Sequence, residues 1–238
     1  MTNDDATLRL LISAGPTYEP IDAVRFIGNR SSGRLGSALA DHAVKMGWDV
    51  TLLLGPNAAL PSDDRVNIVR FQSCQDLAEG LEAHLPHCDT LVMAAAVADY
   101  RPIPAEVALE GKRKRLPGEL SIKLESTPDL LKGCSENARE DQLLVGFALE
   151  PRDRMMESAL RKLDRKNIDL IVANPLETMD SDSIEATLIG NPDRGMDLQL
   201  QTPGPISKPN FAEWLITQLT PLTQQRTRSL TGNASHGA

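Results

Sequence analysis

Aromatic side chains are scarce in this chain: Phe, Tyr and Trp together make up 3% of its 238 residues. With 41% hydrophobic residues overall, the core must be built from Leu, Ile, Val and Ala, a mixture suited to parallel strands covered on both faces by helices. Cysteine is equally rare. Cys74, Cys88 and Cys134 form no C-x-x-C pair, which argues against a disulfide framework or a zinc site and suits lone thiols in a reducing compartment. There is no surplus of positive charge either. The formal net charge is −8 and the pI about 5.1, and a nucleic-acid binder usually carries a basic face. Local basic clusters survive in acidic chains, so a phosphorylated substrate stays admissible. No apolar run approaches the ~18 residues of a membrane span. The N-terminus, with Asp4 and Asp5, lacks the basic stretch of a secretory signal. The expected location is the cytoplasm, with neither nucleic acid nor membrane as partner.

What is present is alternation. Residues 8–14 read as a buried first strand, followed by a Pro- and Gly-rich loop to about Ser31. Leu35, Ala38, Leu39, Ala43 and Met46 recur at helical spacing, with Ser31 or Ser32 as the expected cap and Gly47 as the stop. Strands are expected at 49–54, 66–71, 90–97, 143–149 and 169–173, and helices at about 74–85 and 152–165. A further helix should open at Thr127-Pro128-Asp129, capped by Thr127 with Pro128 in its first turn. Residues 186–189 and 198–201 flank Asn191-Pro192-Asp193-Arg194-Gly195 and predict a C-terminal hairpin. A last helix is expected over 211–219, and the polar tail 225–238 is expected to be disordered. Between Tyr100 and Glu119 the pattern breaks into a loop of about 101–119 with the run Lys112-Arg113-Lys114-Arg115. A loop of that length tends to be functional or disordered. The order implies one domain over 1–224: an α/β, three-layer, modified Rossmann-like fold with a mostly parallel sheet, a long flap and a C-terminal hairpin.

Gly28-Asn-Arg-Ser-Ser-Gly33-Arg34-Leu35-Gly36 comes near a phosphate-binding P-loop, but Arg34 and Leu35 replace its lysine and its metal-binding hydroxyl. It is not a dinucleotide fingerprint either, because that motif follows the first strand at once. Physically, Ser31, Ser32 and Gly33 offer hydroxyls and open N–H groups at a helix start, with Arg30 and Arg34 alongside. That arrangement suits an anion such as phosphate; an ordinary Ser cap followed by Gly is the competing account.

Two blocks, SAGPTYEPID (13–22) and VRFIGNRSSG (24–33), closely resemble the signature of phosphopantothenoylcysteine synthetase. AAAVADY (94–100), GFALE (146–150) and RKNIDLIVAN (165–174) match it in the same order. The resemblance covers roughly residues 8–220. It implies a ligase of coenzyme A biosynthesis that joins 4′-phosphopantothenate to L-cysteine, with CTP as co-substrate in typical bacterial members and ATP in many eukaryotic ones. It also implies Mg²⁺ held mainly by the nucleotide, and a homodimer. The family domain is commonly fused behind a flavin-dependent decarboxylase. Because this chain starts almost at the first strand, it resembles a stand-alone form, with a separate decarboxylase as a possible partner.

By the same resemblance Asn29 contacts the acyl carbonyl, and Lys112 is the flap lysine. Arg113 departs from the family's Lys-hydrophobic-Lys-Lys pattern, and a register shift of two would pass the role to Lys114. Ala95, Ala96 and Asp99 end a buried strand where ligands bind in open α/β sheets, and Phe147 can stack on a base. Pro128 and Asp129 stand at a helix start implicated at the nucleotide. Lys162 and Lys166, at i,i+4, resemble phosphate-facing lysines. Gly15, Arg30, Ser31, Ser32, Gly33 and Asn174 complete a phosphate and substrate set. Ordinary roles compete at each position: a turn asparagine, a solvated basic loop, core alanines and a core Phe, a helix-favouring Asp, and lysines on a solvated helix face. Two other functions compete as well. An NAD(P) oxidoreductase is disfavoured by the displaced glycines. A catalytically silent regulatory relative is disfavoured by the retention of Asn29, the Ser-Ser-Gly turn and a flap lysine.

Overall fold

The first apolar run becomes β1 (Arg9–Ala14), every residue after Arg9 buried, in a computed structural model that describes residues 7–107, 110–115, 117–179 and 181–231. The Pro/Gly loop that follows contains two short strands, β2 (Tyr18–Pro20) and β3 (Phe26–Gly28), paired antiparallel. Then come α1 (Arg34–Lys45), β4 (Asp49–Leu54), β5 (Asn67–Arg70), α2 (Cys74–His84) and β6 (Thr90–Met93). The flap is bounded by a second small hairpin, β7 (Tyr100–Pro102) with β8 (Leu124–Ser126). After it the chain runs through α3 (Leu130–Asn137), β9 (Leu143–Glu150), α4 (Met155–Lys166), β10 (Leu170–Pro175), β11 (Ser183–Ile184), β12 (Thr187–Gly190), β13 (Gln199–Gln201), β14 (Ile206–Ser207) and α5 (Lys208–Thr231).

Eight strands form one sheet in the order β13-β12-β10-β9-β6-β1-β4-β5. The six from β10 to β5 run parallel, and β12 and β13 close one edge antiparallel. The expected α/β layers and terminal hairpin are therefore present. Two apolar clusters cover the two faces. One joins β1, β4 and β9 side chains to α1 and α5, with Leu39, Ala43, Phe211 and Leu215 at its centre. The other joins the opposite face to α2, α3 and α4 through Leu77, Leu81, Leu131 and Leu163. Leu, Ile, Val and Ala dominate both, as the shortage of aromatics requires. No helix among the described residues is long and apolar enough to cross a membrane.

Three local expectations are corrected. Neither Ser31 nor Ser32 caps α1: Gly33 is the cap residue, at φ 68°, with no side-chain cap bond. A β-carbon at Gly33 would lie 2.5 Å from Ala58 Cβ, so tight packing on that loop selects glycine where a hydroxyl cap was expected. At α3 the cap is Asp129, whose carboxylate accepts from Lys132 N at 3.2 Å. Thr127 is occupied elsewhere, since its Oγ1 donates to Ala98 O and its N–H to Asp99 O. Finally, α5 runs through Pro221 to Thr231, so residues 225–231 are helical and 232–238 lie outside the described residues. Interior proline costs a helix about 3 kcal/mol. Anchors beyond it offset that cost: Thr223 is fully buried against Thr90, and Arg226 pairs with buried Asp169.

Candidate active site

The carboxyl ends of the parallel strands open into a cleft of about 490 Å³. Its floor is the strand end Met93–Val97. One wall is the turn Arg30–Gly33 with the start of α1. The other comprises Thr127–Leu131, Phe147 and the α4 face bearing Lys162, Arg165 and Lys166. Asn174, Thr178, Met179, Ile184 and Lys208 close the remaining side.

Sequence chemistry places each part. Gly36 lets α1 approach β1 so closely that a β-carbon there would collide with Ala14 Cβ. That approach brings Ser31, Ser32 and Gly33 beside the strand ends. Arg34 donates to Ser32 Oγ at 3.3 Å and pairs with Asp182 at 2.7 Å, linking the turn to the residues just before β11. Ala94, Ala95 and Ala96 extend past β6 as a backbone pinned by Ser13 and Gly15: Ala94 N and Ala96 N donate to Ser13 O and Gly15 O. Their small side chains leave the floor open.

Six basic side chains (Arg30, Arg34, Lys162, Arg165, Lys166 and Lys208) line the cleft against two carboxylates, Asp99 and Asp129. In a chain of net charge −8 this is a focused positive field. Lys162 donates to Phe147 O at 2.8 Å, and burial, then the neighbouring Lys166, pull its pKa below the ordinary lysine value. Lys166 pairs with Asp129 at 2.6 Å. Burial opposes ionisation of Asp129, but the Lys166 and Lys132 N–H bonds overcome it and its pKa lies below the usual carboxylate range. Asn174, nearly buried, donates to Thr178 Oγ1 at 2.8 Å.

The structure thus brings together Arg30, Ser31, Ser32, Gly33, Ala95, Ala96, Asp99, Pro128, Asp129, Phe147, Lys162, Lys166 and Asn174. Three predicted residues stand apart from the lining. Asn29 is exposed at the cleft's edge, its Nδ2 donating to Val97 O at 2.9 Å. Gly15 lies at the end of β1 with φ 85°, its carbonyl holding Ala96 N. Lys112 is exposed on the flap. The cleft also recruits residues absent from the predicted set, among them Arg34, Arg165, Thr178, Met179, Ile184 and Lys208. Arg165 was within reach, because 162, 165 and 166 share one helical face. Lys208 carried no sequence signal, since its place depends on how α5 docks. Among the described residues no group of three or more His, Cys, Asp or Glu could hold a metal ion.

An open α/β sheet with a cation-lined cleft at its strand ends places that cleft at the topological position where such folds bind ligands. Residues 6–221 match the family described as the DNA/pantothenate metabolism flavoprotein C-terminal domain, and the chain belongs to that family. Among curated relatives it is 46% identical over 71% of its length to a cysteine/cysteine sulfinic acid decarboxylase from an unknown prokaryotic organism, spanning 46% of that protein. It is 45% identical over 72% of its length to the coenzyme A biosynthesis bifunctional protein CoaBC of Mycobacterium bovis, spanning 42% of that protein. The chain therefore spans less than half of the length of these relatives. A solved C-terminal domain of a CoaBC protein superposes with TM-score 0.75 at 34% identity, over 92% of this chain and 96% of that one.

Proposed function

We propose that the chain is a phosphopantothenate–cysteine ligase that uses CTP. The observation carrying this reading is the basic cleft itself: six cations gathered at the strand ends of an acidic protein, walled by the Ser31–Gly33 turn, the Ala95–Ala96 floor and Phe147. In the first step the carboxylate of 4′-phosphopantothenate attacks the α-phosphorus of CTP. Pyrophosphate leaves and an acyl-cytidylate forms. In the second step the amine of L-cysteine attacks the acyl carbonyl, CMP leaves and the amide remains. No protein nucleophile is needed; positioning and charge stabilisation suffice.

Lys162, Arg165 and Lys166 face the triphosphate, and Phe147 stacks on the base with Asp99 on its ribose or polar edge. The Ser31–Gly33 turn and Asn174 hold the substrate's anionic groups. An amide nitrogen carries two N–H bonds. Asn29 gives one to Val97 O, and the other is the donor for the acyl oxygen. Lys112 on the flap closes over the developing charge. The described residues form no cage for a divalent cation. Mg²⁺ enters this reading as the counter-ion of the triphosphate, and no step above depends on protein ligands to it. A homodimer completes the proposal, and a decarboxylase acting on the product is its functional neighbour.

Purified protein with Mg²⁺, 4′-phosphopantothenate and L-cysteine should release CMP from CTP only when both co-substrates are present. AMP from ATP under the same dependence would replace the nucleotide and keep the ligase. Release from neither would point to the silent relative. Asn29→Asp and Lys112→Gln should each lower turnover by about a hundredfold, the scale of losing one transition-state donor; full activity in both would refute the site assignment.

A further inference from the structure

The turn before β3 and the basic flap lie 91 residues apart in sequence and meet at one buried carboxylate. Asp22 has a fully buried side chain. Its Oδ1 accepts from Val24 N at 2.9 Å and Arg25 N at 2.8 Å, closing a local Asx turn. Its Oδ2 faces the other way, accepting from Arg113 N at 3.1 Å and standing 3.4 Å from Arg25 Nε. The guanidinium of Arg25 reaches back to Arg113 O at 2.8 Å, and Ala23 N donates to Gly111 O at 3.2 Å. The residues on either side of Lys112 are therefore both bound by consecutive residues of one turn.

We infer that Asp22 is a positioning residue that docks the flap, and that its docking makes Lys112, not Lys114, the flap's working lysine. The role of the lysine rests on the ligase reading; the docking does not. Lys112 has its backbone clamped before and after it while its own side chain stays exposed. Among the described residues, no backbone bond from the turn reaches Lys114 or Arg115. The same turn leads through β3 to Asn29, whose amide rests on Val97 O at the cleft's edge. Flap and acyl-carbonyl donor are thus tied to one short, ordered segment. The dock is also reversible by construction. When the flap lifts, Asp22 loses the Arg113 N–H but keeps its Asx turn and Arg25, so no buried charge is left without a partner.

Asp22→Asn separates these contacts. The amide oxygen still serves Val24 and Arg25, while the new N–H₂ points a donor at the Arg113 N–H. Arg113→Pro removes the same bond from the flap side, together with the Arg113–Glu106 pair, and leaves Asp22 and the core alone. Trypsin cleavage after Lys114, a site that both variants keep, should be about tenfold faster in each ligand-free variant than in wild type, because cleavage follows the population of the open form. Circular dichroism melts would show the fold intact. Wild-type cleavage rates in both variants would overturn the docking. In the ligase assay Asp22→Asn should lower kcat with little change in KM for cysteine, and Lys112→Gln should lose more turnover than Lys114→Gln. The reverse order would overturn the assignment of Lys112. A wild-type protein without ligase activity would sink the ligase reading, and proteolysis would still decide the dock.

Discussion

Lys162 sits where burial works against its own charge, and this makes it a reporter of what enters the cleft. An anion beside it favours the ammonium and raises its pKa, so binding takes up protons at pH values where the free lysine has begun to lose them. The sign follows from the direction of the shift. Because the free-state value lies below the ordinary lysine range, affinity for a phosphate-bearing ligand is complete below that value and falls as pH rises through it. Calorimetric titration of CTP across neutral to alkaline pH should show this fall. Lys162→Met should weaken binding at neutral pH by about tenfold, the scale of one charge-assisted hydrogen bond, and flatten the alkaline decline. An unaltered profile in that variant would separate Lys162 from the phosphates. The cysteines behave in the opposite way. All three are buried and free, and burial before any other cause pushes their thiols up, Cys74 to about 11 and Cys88 and Cys134 to about 12. A thiol held neutral and covered is a poor nucleophile. Native protein should therefore leave Ellman's reagent almost colourless near neutral pH, and all three thiols should react once the chain is denatured.

At the scale of elements, α5 stays helical beyond Pro221 with Arg226 anchored to a buried carboxylate. Asp169 is fully buried, bonds Leu144 N at 2.8 Å, and pairs with Arg194 at 2.8 Å and with Arg226. Asp169→Ala would strand two partly buried guanidinium groups and should cost about 3–5 kcal/mol in denaturant unfolding. Arg226→Ala should cost less, because Arg194 remains with the carboxylate. This element also shows where sequence reasoning stops. The last helix was expected over 211–219 with a disordered polar tail, because local propensity carries no information about Asp169, 57 residues from Arg226 in sequence. Strands β4 and β9, by contrast, were legible because continuous aliphatic runs must be buried on both faces wherever they occur. The small hairpins β2–β3 and β7–β8 were not. Each pairs two three-residue strands, one of which ends in proline, too short to show the alternation that would announce them. Tyr18 N and Thr127 N tie them to Gln72 O and Asp99 O at the sheet ends. The cap of α1 was misplaced for a related reason: the local preference for serine yields to the space beneath Gly33, which only the fold defines.

Across the whole molecule, most of the site was legible because its parts sit in contiguous segments whose spacing resembles one family. What escaped was the side built from Thr178, Met179, Ile184 and Lys208, where the start of α5 meets the chain before β11 through Lys208 N and Asp182 O. The same view of the molecule bears on assembly. The hairpins β2–β3 and β7–β8 pack against each other beside the sheet. They carry Val24, Phe26, Tyr100 and Leu124, which are 60%, 47%, 57% and 45% exposed. Phe26 stacks on Tyr18 with ring centroids 3.6 Å apart, so its exposed face is held rigid and loses little freedom on being covered. In a chain so poor in aromatics, placing two of them outward beside the flap argues for a surface that another molecule covers, and a second copy is the occupant our functional reading calls for. Light scattering of the purified protein should give a dimer. Phe26→Glu combined with Tyr100→Glu should shift it to monomer with little change in thermal midpoint, because neither side chain lies in the core clusters. A dimer that survives both charges would place the interface elsewhere. If turnover falls with the loss of the dimer, the flap and its Asp22 dock work within the assembly, since both hairpins flank the segments that carry Asn29 and Lys112.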